Sequence, residues 1–213
     1  MDLKDRFEKY RKLEYEPNKT FYNALKAGQK PHTLFIGCSD SRVNAETLFQ
    51  AKAGELFQIR NIANIIPRED EAGDHYSVVS AIEYAVKILK VKNIFVCGHS
   101  NCGGCAAIRK LAENKGSLPY TEAWISRSAF LSDHIDCKYP DMEEDDKLIM
   151  LEKLNAVQQL DNLMTYEFVR ERVESEGLSL QACYYEISTG KITLYDYDDY
   201  LSPLKSDYPC ERE

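Results

Sequence analysis

Two short stretches hold the residue types that do chemistry. From Phe95 to Cys105 the chain reads FVCGHSNCGGC, and from Leu34 to Arg42 it reads LFIGCSDSR. Cys38 in one and His99 and Cys102 in the other offer two thiolates and an imidazole, a ligand set that suits zinc. Three protein ligands leave the fourth tetrahedral position open. Water held there falls from a pKa of about 15.7 to near neutrality, giving hydroxide at working pH. Asp40 and Arg42 stand next to Cys38. A carboxylate there can take the proton from such a water or hold its hydroxyl in one orientation, while the guanidinium keeps that carboxylate ionised and aimed. Gly103 and Gly104 allow close backbone approach, and N–H groups at the start of a following helix can donate to an anion.

Each signal has a plainer reading. H-x-x-C by itself is a weak metal motif, cysteines at strand ends are mostly small buried apolar residues, and an Asp–Arg pair alone is a surface salt bridge worth little. That plain reading is kept for Cys97 and Cys183. For Cys38, His99 and Cys102, the combination of C-x-D-x-R with H-x-x-C favours metal. Cys105 competes as a fourth ligand that would close the site into a structural knot, but a helix starting at Gly103 would turn it away.

For residues so far apart in the chain to meet, strands must carry them. HTLFIG, ELFQI and NIFVCG are short apolar runs bounded by proline or glycine, too brief for helices, and read as buried strands. Ahead of the third, HYSVVSAIEYAVKILK sets Val78, Ile82, Ala85, Val86 and Leu89 at helical spacing. Strand, helix, strand predicts a parallel sheet, and ligands of such sheets gather beyond the carboxyl ends of the strands, where both motifs fall. Asp2 to Tyr15 and Thr20 to Ala27 read as amino-terminal helices. LIMLEKLNAVQQLDNLM reads as a long amphipathic helix, and LQACYYEISTGKITLYDYD as two strands about a glycine turn. The acidic YPDMEEDDK reads as a solvated connection before the long helix, since it lacks the glycine and spacing of an EF-hand loop.

The whole chain sets outer bounds. Its 213 residues fit a single domain with an adequate core. A net charge of −8 argues against a nucleic-acid partner, which requires a basic face. No apolar run is long enough for a membrane span, and the charged MDLKDRFEKYRKLEYE is unlike a signal peptide, so a cytoplasmic location is expected. Seven cysteines, an odd number, predict no disulfide framework.

GQKP, CSDSRV, GELFQIRNIAN, SAIEYAV, CGHSNCGG and YYEISTGKI follow one another in an order that resembles the β-class carbonic anhydrases over most of the chain. The resemblance implies a single domain over 1–213 with a helical arm at 1–30. The implied fold is α/β, a mainly parallel sheet with an antiparallel edge strand, flanked by helices, with the arm extending to a partner subunit. It implies zinc, one per chain, held by Cys38, His99 and Cys102, with Asp40 and Arg42 as the catalytic dyad in the reversible hydration of carbon dioxide to bicarbonate. Gln29, Phe57 and Tyr84 match substrate-pocket residues of that family, and Gly103 and Gly104 join them as the close backbone. Some pocket residues there come from a second subunit, which implies a homodimer or homotetramer.

Some bacterial members carry a tryptophan three residues before the first zinc cysteine as part of an inhibitory bicarbonate site. Phe35 stands there instead, so that site is not expected, although Arg60 is present. The dyad aspartate can also replace zinc-bound water in a closed state of the family, and the open arrangement is expected near neutral pH. Hydrolysis of carbon disulfide or carbonyl sulfide at the same ligands is one alternative. A zinc-binding structural role is another, against which intact Gln29, Asp40 and Arg42 count. His32, His75 and His134 read as surface or packing residues in preference to proton shuttles.

Overall fold

The charged amino-terminal stretch coils into helices that bury none of their own residues. The computed structural model describes residues 2–74, 76–113 and 116–196, and the chain separates into two compact units, Met1–Lys30 and Pro31–Glu213. In the first, α1 (Leu3–Tyr10) begins where the Asp2 carboxylate accepts the Lys4 N–H at 2.9 Å, a side-chain cap. It runs on through a wide turn at Arg11–Tyr15, and α2 (Lys19–Leu25) follows the Pro17 break. Leu3, Phe7 and Tyr10 recur at helical spacing, yet all three are exposed.

The second unit is built on the predicted strands. In chain order it contains β1 (Thr33–Cys38), α3 (Ala45–Phe49), β2 (Leu56–Asn61), α4 (Tyr76–Glu83) and β3 (Asn93–His99). There follow α5 (Gly103–Arg109), α6 (Pro119–Ile125), α7 (Ala129–Lys138), α8 (Glu144–Met164), α9 (Glu167–Glu176), β4 (Ser179–Glu186) and β5 (Lys191–Asp196). The strands form one sheet in the order β2-β1-β3-β4-β5. β1 runs parallel to β2 and β3, β3 runs parallel to β4, and β5 returns antiparallel as the edge.

Alternation along the strands divides the core. Leu34, Ile36, Ile94, Val96, Leu180 and Ala182 face one way and pack with residues of α4, α8 and α9. Phe35, Phe95, Cys97 and Cys183 face the other way against Val43 and Ala45. Both faces are therefore covered, and every residue of β1 is buried. Each fully buried leucine, isoleucine or valine contributes about 1.5–3 kcal/mol.

Three features differ from the sequence expectations. The acidic stretch is not merely a connection: Glu144, Asp145 and Asp146 make the first turn of α8, where carboxylates complement the positive end of the helix. α6 and α7 fill a region that periodicity left unassigned, because α7 buries Ser132 and His134 beside Leu131 and Ile135 and so blurs its apolar stripe. Cys38, Cys97, Cys102, Cys105 and Cys183 are free thiols, but Cys137 is disulfide-bonded, one bond where the sequence led to no disulfide framework. Cys210 and His75 lie outside the described residues. Among those described, no helix is long and apolar enough to cross a membrane.

Candidate metal centre

Register brings the two motifs together. Gly37 of β1 pairs with Cys97 of β3, so the strand ends at Cys38 and His99 lie side by side at the carboxyl edge of the sheet. After β3 the chain turns through Asn101, whose positive φ of 54° supplies the left-handed step, and Cys102 then precedes α5. The donor atoms of Cys38, His99 and Cys102 all lie within 4.8 Å of one another. All three residues are buried, at 4%, 1% and 1% exposure.

The donor set fits zinc. The two sulfurs are 3.9 Å apart, close to the roughly 3.8 Å that two Zn–S bonds of about 2.3 Å span at a tetrahedral angle. His99 Nδ1 lies 3.0 Å from the Ser100 carbonyl. A carbonyl only accepts, so Nδ1 carries the proton and Nε2 presents a bare lone pair. That Nε2 is buried without a hydrogen-bond partner. Hydrogen bonding with Cys102, together with burial, pushes the Cys38 thiol up to about 12, and hydrogen bonding with Cys105 leads the rise of Cys102 to about 12. Two such thiols ionise together at neutral pH only against a strong positive charge, which a divalent ion provides. Cys105, the rival fourth ligand, is outside the converging set and packs among Ile108, Leu131 and Ile135.

Beside the ligands, Arg42 takes both oxygens of Asp40. Its amide and Nε donate to Oδ1, each at 2.9 Å, and Nη2 donates to Oδ2 at 2.7 Å. This pairing holds the Asp40 carboxyl well below the usual carboxylate range. Arg42 Nη2 also donates to the Asn101 carbonyl at 2.9 Å, tying the pair to the ligand loop. Gly104 packs so closely on the Ile62–Asn64 turn that a Cβ there would lie 2.8 Å from Ala63 Cβ, whereas Gly103 has open space above it.

The pocket residues inferred from sequence are dispersed. Gln29 follows α2 in the Met1–Lys30 unit and is exposed. Phe57 and Tyr84 approach each other with ring centroids 6.0 Å apart. Phe57 pairs with Leu34 while Asn61 pairs with Cys38, so about 13 Å of strand separate Phe57 from the level of its own chain's ligands.

Sequence reasoning noted Arg60 only in connection with an inhibitory site, and missed the groups that hold the ligand backbone and the 62–66 turn packed against it. Arg60 donates from Nε and Nη2 to the Cys38 carbonyl at 3.1 and 2.9 Å, and from Nη2 to the Asp40 carbonyl at 2.6 Å. Glu152 on α8 accepts the Cys102 N–H at 2.8 Å and the Tyr184 hydroxyl at 2.8 Å. Burial pushes its carboxyl above the usual range, with those two donors pulling the other way. Asn155 donates to the Ala63 carbonyl at 2.7 Å, Gln159 accepts from the Ile66 N–H at 2.7 Å, and Asn162 donates to the Ile66 carbonyl at 2.9 Å. The available signal was a stripe of polar residues at 152, 155, 159 and 162 with helical spacing, on the buried side of an otherwise apolar face.

Comparison with known proteins agrees with this geometry. The carbonic anhydrase family matches residues 33–192. A carbonic anhydrase of Helicobacter pylori is 35% identical over 196 residues, covering 90% of this chain and 88% of its own. Beta carbonic anhydrase 3 of Arabidopsis thaliana is 35% identical over 205 residues, covering 94% of this chain and 78% of its own. Among solved structures, the β-carbonic anhydrase CcaA superposes with a TM-score of 0.87 at 33% identity, over 91% of this chain and 86% of that one. A tetrameric β-carbonic anhydrase of Sordaria macrospora gives 0.79 at 30% identity, over 89% and 93%.

Proposed function

The chain belongs to the β-class carbonic anhydrases, zinc enzymes that hydrate carbon dioxide, and from that premise we propose that Asp40 and Arg42 serve the reaction beside zinc held by Cys38, His99 and Cys102. The observation that carries the reading is the meeting of three buried donors beside an ionised, doubly held carboxylate. Zinc on these donors supplies a Lewis acid that brings the pKa of water near neutrality. Asp40 accepts or orients the proton that hydration releases, and Arg42 keeps it charged and fixed while gripping the Asn101 carbonyl. The two-point pairing of Asp40 with Arg42 supports the open arrangement, with Asp40 beside the metal and not on it. Buffer carries the proton onward.

The same reading includes a second subunit. Phe57 is far along β2 from its own ligands and Tyr84, just past α4, lies against it, which supports their entry into the site of another copy, together with Gln29 from the 1–30 arm. Leu3, Phe7 and Tyr10 form an exposed apolar stripe on that arm, a surface suited to cover by a partner. The relative from Sordaria macrospora is tetrameric. Gly103, open above its Cα, leaves room for substrate near the ligands.

Stopped-flow hydration of carbon dioxide, with zinc content determined on the same sample from about pH 6.5 to about pH 9, tests the proposal. Rapid hydration with about one zinc per chain is expected. Zinc without hydration at any pH overturns it, and sulfide release from carbonyl sulfide in place of hydration points to the sulfur substrates.

A further inference from the structure

Glu152 is 2% exposed, in the middle of α8, with no cation among its hydrogen-bond partners. A carboxylate in such a place is costly unless its oxygens are satisfied. Both are: Oε1 accepts the amide of Cys102 and Oε2 accepts the hydroxyl of Tyr184, each at 2.8 Å. Gly98 explains how α8 comes so near, because a Cβ there would lie 3.0 Å from both Ala156 Cβ and the Glu152 carbonyl. The ligand loop is therefore gripped from two directions, by Arg42 on the Asn101 carbonyl and by Glu152 on the Cys102 amide. Cys102 has extended backbone, φ −70° and ψ 115°, and makes no side-chain cap of its own on α5. Its orientation depends on an outside partner.

We propose that Glu152, set in place by Tyr184, is a positioning residue for the zinc ligand Cys102, fixing its backbone so that Sγ converges with Cys38 Sγ and His99 Nε2. This rests on the zinc reading above. Partners that orient metal ligands typically change metal affinity about 10- to 100-fold when removed. Aligned to the ligand by a single N–H, the carboxylate needs no contact with metal or substrate to act.

The test is zinc affinity of the full chain, measured by competition with a chromophoric chelator, together with the visible spectrum of the cobalt-substituted protein, which reports ligand geometry. Glu152→Ala is expected to weaken zinc about 10- to 100-fold and shift the cobalt bands. Glu152→Gln keeps an amide oxygen able to accept the Cys102 N–H and recovers most of the affinity. Tyr184→Phe falls between. If Glu152→Ala only lowers the melting temperature of the metal-free protein and binds zinc as the parent does, the residue is a packing element and the proposal fails. Should that variant not fold, Tyr184→Phe decides alone: an unchanged affinity and spectrum overturn the proposal. A parent protein that fails to bind zinc overturns the metal site and the clamp together.

Discussion

Arg42 holds Asp40 by both carboxylate oxygens, at 2.9 Å to Oδ1 and 2.7 Å to Oδ2, and with the same Nη2 reaches the Asn101 carbonyl of the ligand loop at 2.9 Å. The pair is thus attached to both strand ends that supply the metal ligands. Its first effect is electrostatic. Arg42 lowers the Asp40 pKa below its unfolded value of about 3.9. A depressed carboxyl stabilises the fold above that unfolded value and loses its contribution only as pH falls through the folded one. Asp40 is accordingly charged throughout the neutral range. Asp40→Asn is expected to retain zinc while hydration falls about 100-fold or more. Stopped-flow rates with metal analysis check this, and full activity across the pH range would remove Asp40 from the mechanism.

Gly103 and Gly104 are neighbours with opposite tolerances. A Cβ on Gly104 would meet Ala63 Cβ at 2.8 Å, Ile62 Cγ2 at 2.9 Å and the Ala63 backbone nitrogen at 3.1 Å, while beyond its chain neighbours and its own helix backbone no described residue comes within 4 Å of one on Gly103. Gly104→Ala is expected to cost about 1–3 kcal/mol through overpacking, and Gly103→Ala much less. Urea denaturation of the two variants compares them directly.

Arg109 ties α5 to α7 and α8. Its Nη1 donates to Asp136 at 2.8 Å and its Nη2 to Glu144 at 2.7 Å. Arg109 leads the lowering of both carboxyl pKa values. Their contribution is present above the unfolded carboxylate values near pH 4 and lost as pH falls through the depressed folded values. Arg109→Met is therefore expected to raise the midpoint of acid unfolding. Circular dichroism across the acid range measures it, and an unchanged midpoint would show the network to be inert.

Phe7 tests the assembly. It is 67% exposed on an arm whose helices bury none of their own residues. Phe7→Asp is expected to shift the population toward smaller species in sedimentation velocity and to lower hydration per chain, since the inferred pocket draws on two copies. An unaltered oligomer with unaltered rate would place the arm outside the interface.

The sequence by itself determined the strands and the chemistry at their ends. LFIG and IFVCG are apolar through their whole length because both faces of β1 and β3 are covered, and C-x-D-x-R with H-x-x-C puts the three donors and the Asp–Arg pair at fixed steps past those strands. Local spacing is enough there, since Asp40 and Arg42 meet across two residues. Only the tertiary structure decided what holds the ligand loop and the turn packed against it, and where the inferred pocket residues lie. Glu152 is 50 residues from Cys102 and Asn155 is 92 from Ala63. Both recognise backbone groups, and backbone groups are the same at every residue, so no side-chain pattern advertises the partner. The register of β2 on β1 likewise sets Phe57 at the far end from Cys38, a consequence of pairing between distant segments that neither segment encodes alone.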